Sequence, residues 1–168
     1  MAGKIMLTKL KDIHFNKWQQ AYSFMAKKAK FKDMIKSNLN IIFLRGKHNC
    51  GKTTTFNLLY DELCNKGAEV VEPQSALPGR DDFECILKYN KKKIALFSLG
   101  DYGFAPSSAI GYYTREECDI LVVAYSLGKS ICNNSLFTKR YPEPIIIDKE
   151  SKSDNDAVNE IITKIEAL

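Results

Sequence analysis

The chain is poor in the residues that staple, chelate or span. Its five cysteines (Cys50, Cys64, Cys85, Cys118 and Cys132) are odd in number and contain no C-x-x-C pair, and only His14 and His48 accompany them. That set argues against a disulfide framework and against a zinc site, and for free, mostly buried thiols. The longest apolar runs, Ile41 to Leu44 and Ile120 to Tyr125, fall far short of the ~18 residues of a membrane-spanning helix. The opening stretch MAGKIMLTKLKD lacks the apolar core of a secretory signal, so a cytoplasmic location is expected. Proline and glycine are sparse, and no Gly/Ser-rich or Pro-rich linker and no internal repeat interrupts the chain. What remains is 168 residues with 45% apolar and 27% charged side chains, an ordinary composition for one globular core.

Charge is unevenly placed. Residues 1–38 carry nine lysines against Asp12 and Asp33, while the remainder of the +5 chain is slightly acidic. The basic character therefore belongs to the N-terminal segment alone. Within it, Phe15, Trp18, Tyr22, Met25, Ala26 and Ala29 recur at helical spacing over residues 14–30, with Asn16 as a cap. The Trp18-Tyr22-Met25 face is expected to pack on the domain, with a docking surface for a protein partner as the alternative. Nine lysines without an arginine suit a solvated face better than base readout, so nucleic acid is not the expected partner.

From Asn40 the pattern alternates strands and helices. NIIFLR reads as a buried strand, Lys52 to Asn65 as a helix with Phe56, Leu59 and Leu63 on one face, and Ala68 to Val71 as a short strand. Phe83 to Lys88 and Lys93 to Leu99 read as a hairpin turning at Tyr89-Asn90-Lys91. Ile120 to Tyr125 and Ile145 to Ile147 are further strands, and a closing helix from Asp154 carries Val158, Ile161, Ile162, Ile165 and Leu168 behind a Ser153 or Asp154 cap. This predicts an α/β fold of three layers, with a mostly parallel central sheet and one antiparallel hairpin. The expected organisation is a basic helical segment over 1–38 packed on a domain over 39–168.

Between the first strand and the first helix stands Gly46-Lys47-His48-Asn49-Cys50-Gly51-Lys52-Thr53, the pattern G-x-x-x-x-G-K-T of a phosphate-binding loop. Gly46 and Gly51 are expected at positive φ, where the backbone can approach a phosphate. Successive N–H groups through Thr54 would then form an anion nest, reinforced by the helix dipole. Lys52 would lie along the β- and γ-phosphates, and the Thr53 hydroxyl would hold Mg²⁺. Cys50 reads as a small residue in a tight position, and His48 as facing solvent or the edge of the nucleotide.

On these residues the chain resembles the P-loop NTPase superfamily over residues 40 to about 148. The resemblance implies a second acid near Mg²⁺ at the C-terminal end of a strand. Asp101, after Ile94 to Gly100, is the first candidate, and Asp148, after Ile145 to Ile147, the second; a plain turn at Gly100-Asp101-Tyr102-Gly103 is the alternative for Asp101. Asp119 precedes its strand and belongs at the other end of the sheet. The loops Pro73 to Asp82 and Asp101 to Ala109 flank the site. The hairpin running into Asp101 resembles in part the switch region of Ras-like small GTPases, although Phe104 stands where that family has glycine. Its guanine-reading N-K-x-D is also missing at Tyr125 to Ser130, which favours ATP over GTP; Asp148-Lys149 is the alternative reader of a base edge. Of only four arginines, Arg80 is the candidate finger or acceptor-binding residue, with a solvated loop arginine as the alternative.

The function expected from this reading is a slow Mg²⁺-dependent nucleoside triphosphatase that binds ATP and couples nucleotide state to a partner. A kinase for a small acceptor held over 73–82 and 101–115, and a non-catalytic adaptor docking through its basic helix, are the alternatives.

Overall fold

The computed structural model describes residues 39–76, 81–100, 105–127 and 144–168. The N-terminal segment with Trp18, Tyr22 and Met25 lies outside them. The sheet is built outward from β1 (Asn40–Gly46), whose Ile41, Ile42, Phe43 and Leu44 are all buried. A strand covered on both faces has to be apolar at consecutive positions, which explains the unalternating run. β5 (Ile120–Ser126) is buried throughout and pairs with β1 in parallel, from Asn40↔Ile120 to Gly46↔Ser126, so the two strands finish side by side. β6 (Ile145–Asp148) covers the other edge of β1, and β4 (Lys92–Phe97) the other edge of β5, both parallel.

Beyond β4 the direction reverses. β3 (Phe83–Tyr89) runs antiparallel to β4 through a two-residue turn in which Asn90 (φ 50) and Lys91 (φ 66) are both left-handed, as a type I′ hairpin requires. β2 (Glu69–Ala76) then pairs antiparallel with β3, giving the order β2-β3-β4-β5-β1-β6. This second antiparallel pairing extends the single hairpin expected, and β2 continues five residues past Val71 through Pro73. Proline cannot donate to a ladder, but an edge strand tolerates it, and the register of β2 on β3 shifts on both sides of Glu72.

Successive residues of each strand point to opposite faces and build two cores. On one face, Ile42 and Leu44 of β1 join Val122 of β5 and Leu96 of β4 beneath two helices. These are α1 (Lys52–Asn65), which buries Phe56, Leu59 and Leu63, and α3 (Asp154–Ala167), which buries Val158, Ile161, Ile162 and Ile165. α1 stops at Gly67 (φ 91): Gly67 N–H donates to Cys64 O and Ala68 N–H to Leu63 O, 2.9 Å each. α3 starts at Ser153, whose hydroxyl accepts from Asp156 N–H at 3.1 Å. Leu168, expected on the buried stripe, is exposed beyond the end of α3.

On the other face, Ile41, Phe43, Phe97 and Val123 pack against α2 (Ala105–Arg115) through Ala109, Ile110 and Tyr113. The helix corrects the expected loop to Ala109. Pro106, Ser107, Ser108 and Gly111 are poor helix formers, yet proline is harmless in a first turn, and burial of one apolar stripe outweighs propensity. Tyr113 donates its hydroxyl to the buried Glu84 at 2.8 Å, and burial pushes its phenol well above the ordinary range. Among the described residues no helix is long and apolar enough to cross a membrane.

Leu58 and Leu59 separate the two sides of α1, since Leu59 is fully buried and Leu58 faces solvent. Leu59→Ala should lower the unfolding free energy by about 2–5 kcal/mol. Leu58→Ala should change it by less than about 0.5 kcal/mol, both read from denaturant midpoints at unchanged slope.

Candidate functional site

The chain leaves β1 at Gly46 and enters α1 at Lys52. Leu127 N–H donates to Gly46 O at 3.0 Å, so the start of this loop is tied to the end of β5. Left-handed backbone occurs at Asn49 (φ 60) and Gly51 (φ 90), and not at Gly46. That corrects the expectation for Gly46, whose requirement is space: a Cβ there would collide with Cys50 Sγ and lie 3.3 Å from Lys149 Cβ. Cys50 therefore serves as a small side chain folded over the loop's first residue.

α1 begins without a side-chain cap and without an acid in its first turn. The positive end of its dipole thus opens toward the loop. Lys52 is buried there, and its ammonium donates to Lys47 O at 2.6 Å and Gly46 O at 3.2 Å, with Cys50 Sγ at 3.9 Å. It meets no carboxylate among the described residues. Lys47, His48, Asn49 and Thr54 are exposed around it.

The loop is held from behind by the connection between β6 and α3. Glu150 accepts from Lys47 N–H at 2.8 Å. Lys149 is buried, with its ammonium on Lys152 O at 2.8 Å and Asp154 Oδ1 at 3.0 Å, and Asp154 Oδ1 also accepts from Thr55 Oγ1 at 2.9 Å. A Cβ on Gly51 would stand 3.3 Å from that same Asp154 oxygen, so Gly51 is fixed by contact as well as by φ. Asp148 is engaged by Arg45, whose Nε reaches Oδ1 at 2.7 Å and whose second nitrogen reaches Oδ2 at 2.5 Å. Asp148 and Lys149 are thus both engaged in ion pairs, with Arg45 and Asp154 respectively.

Thr53, the first candidate metal ligand, donates its hydroxyl to Asp82 Oδ1 at 2.9 Å. Ser98, just past the end of β4, donates to the same oxygen at 3.1 Å. Ser98 and Phe83 are tied in turn, Phe83 N–H to Ser98 Oγ at 2.8 Å and Ser98 N–H to Phe83 O at 3.0 Å. Farther on, Gly100 is pressed against β5, with room for no Cβ beside Ala124, and its carbonyl accepts from Ser126 N–H at 3.3 Å. Asp101 and Arg80, the candidate catalytic residues on either side, lie outside the described residues. Asp119 sits where its sequence position predicted, at the opposite end of the sheet, accepting from Lys93 N–H at 2.7 Å.

No protein-family model, curated protein or solved structure matches the chain. The structure places Gly46, Lys47, Cys50, Gly51, Lys52 and Thr53 along the connection from β1 into the first turn of α1. It adds Asp82, Ser98, Glu150 and Asp154, which the sequence reading did not single out for the site, and sets Lys149, expected only as a reader of a base edge, behind the loop. Asp82 had a usable signal: a strand antiparallel to β4 must begin at the end of the sheet where β4 finishes.

If Cys50 Sγ is what forbids a side chain at Gly46, Gly46→Ala should cost about 1–3 kcal/mol of stability, and Cys50→Ala in the same chain should restore part of it. A double-mutant cycle by denaturant unfolding measures the coupling. The Arg45 hydrogen bond holds the Asp148 carboxyl below the usual carboxylate range, against the opposing effect of partial burial. A lowered folded pKa means that stability is present above the unfolded value of about 3.9 and lost as pH falls through the folded one. Asp148 is 45% exposed, so the effect is small. Wild type should exceed Asp148→Asn in melting temperature at pH 7, with the gap closing below about pH 4.

Proposed function

We propose that the chain binds a nucleoside triphosphate with Mg²⁺ over residues 46–54 and cleaves it slowly, as a P-loop nucleoside triphosphatase whose nucleotide state a partner reads. The observation that carries this is the setting of Lys52: a buried ammonium held by two carbonyls and the Cys50 sulfur of its own loop, with no carboxylate on it among the described residues, at the start of α1, which has no side-chain cap. Carbonyls are neutral acceptors, and anionic phosphate oxygens would bind the same group in charge-assisted bonds about twice as strong. Lys52 would leave Gly46 O and Lys47 O for the β- and γ-phosphates, while the first N–H groups of α1 take the remaining oxygens.

A divalent metal fits hard oxygen donors, and the Thr53 hydroxyl is one. Among the described residues no three His, Cys, Asp or Glu side chains gather, so those residues alone form no cage. That suits Mg²⁺, which keeps waters and shares phosphate oxygens. When bound, it would neutralise charge on those oxygens. Thr53 would hold it, and Lys52 would stabilise the charge that develops on cleavage.

ATP is the preferred nucleotide. The sequence lacks an Asn-Lys-x-Asp, and Asp148 and Lys149 are occupied by Arg45 and Asp154. The acceptor-kinase alternative is less well supported, because residues 73–76 belong to β2 and 105–115 to α2 rather than to open loops. For the basic segment 1–38, packing on the domain remains the first reading and docking of the partner the alternative.

Purified protein incubated with Mg²⁺ and either ATP or GTP should slowly release the diphosphate and phosphate, faster from ATP. Lys52→Ala should abolish binding and release alike. Undiminished affinity in Lys52→Ala would defeat the proposal, and nucleotide bound but returned intact would move the assignment to an adaptor.

A further inference from the structure

We infer that the carboxylate serving the metal at this site is Asp82, delivered by the antiparallel strand β3, and that Ser98 at the end of β4 positions it. The inference rests on the nucleotide reading above and names a residue that reading leaves open.

Three observations converge. First, the residue that directly follows the apolar strand β4 is Ser98, a hydroxyl and not an acid. Second, β3 and β4 are paired in the register Glu84↔Phe97, which continues to Phe83 opposite Ser98 and so brings Asp82, the residue before Phe83, to the end where β4 finishes. Third, Asp82 Oδ1 receives the hydroxyls of both Thr53, at 2.9 Å, and Ser98, at 3.1 Å. Ser98 is itself oriented by Phe83 N–H, at 2.8 Å, so its proton points at the carboxylate.

Thr53 and Asp82 thus present two hard oxygens within hydrogen-bond distance of each other at the start of α1. A Mg²⁺ ion completed by phosphate oxygens and waters needs one or two such protein donors. On binding, the proton of Thr53 would turn away from Asp82, and both oxygens would offer lone pairs to the metal. Ser98 remains in place as the hydrogen-bonding support of a ligating carboxylate, the role that usually fixes its orientation. A carboxylate serving only to steady the start of α1 would make the same hydrogen bond, so the test has to separate charge and ligation from hydrogen bonding.

Asp82→Asn does so, because the amide keeps an oxygen for Thr53 and Ser98 and removes the charge. The measurement is the affinity of the full chain for a fluorescent ATP analogue in Mg²⁺ and in EDTA, with melting curves to verify folding. Wild type should bind more tightly in Mg²⁺. Asp82→Asn should keep its EDTA affinity and lose about tenfold or more of the Mg²⁺ gain. Asp82→Cys gives an independent readout: Cd²⁺, which prefers thiolate, should restore a gain that Mg²⁺ no longer supplies. A Mg²⁺ gain in Asp82→Asn equal to wild type overturns the inference, as does Asp82→Cys behaving identically in the two metals. Loss of the gain in Asp101→Asn with its retention in Asp82→Asn would assign the role to Asp101. In those cases the nucleotide still binds and the reading beneath survives, whereas wild type that binds no analogue in either buffer overturns both.

Discussion

An ammonium taken out of water must be given oxygen atoms in return, and at Lys52 the backbone of residues 46 and 47 supplies them. Much of the geometry at this end of the sheet follows from that demand. Two carbonyls can turn inward over so few residues only if the chain reverses tightly, and the left-handed conformations of Asn49 and Gly51 do this. The reversal drops Cys50 onto residue 46, where only glycine fits. Carbonyls turned inward also leave the Lys47 N–H pointing out, and Glu150 accepts it. The loop is shaped around the positive charge of Lys52, which its carbonyls turn inward to meet.

Such a loop needs a rigid base, and the sheet provides it. β1 is flanked on both edges by parallel neighbours and covered on both faces by separate apolar cores, so Gly46 is anchored at the end of a fixed strand. β5 separates β1 from β4, so β4 lies two strand spacings, roughly 9–10 Å, to the side of β1, and it stops level with Phe43 rather than with Gly46. Groups arriving along β4 or β3 therefore meet the loop at the first turn of α1 rather than at β1. Thr53, on that turn, makes the contact.

The elements legible in the sequence are those whose determinants are local. β1, α1, the β3–β4 hairpin, β5 and α3 each combine an apolar period with a terminal residue of known preference, and their observed bounds differ from the expected ones by a residue or two. The phosphate-loop pattern was legible for the same reason, being eight consecutive residues. What escaped is what tertiary context decides. α2 has weak intrinsic propensity and is helical because Ala109, Ile110 and Tyr113 fill one face of the sheet. β2 passes through Pro73 because its place at the edge asks less of its N–H groups. Lys149, Glu150 and Asp154 meet the loop across about a hundred residues of chain, a separation no local pattern reports.

The reversal of β3 has a consequence that a wholly parallel sheet would lack. In parallel strands only the residues that follow a strand reach the ligand end, so a search for acids there looks after each apolar run and arrives at Asp101 or Asp148. An antiparallel neighbour brings the residue that precedes its strand to the same end. Asp82 precedes β3, Ser98 follows β4, and one ladder joins them, so the pair acts as a unit assembled from opposite chain directions. The hydroxyl can stand at the end of β4 because the charge is supplied next door. The exit of β4 is then free to lie flat on β5, where Gly100 packs against Ala124 without a side chain between them. The carboxylate at Asp82, the hydroxyl at Ser98 and the bare backbone at Gly100 are thus three parts of one solution to placing a negative charge beside Thr53.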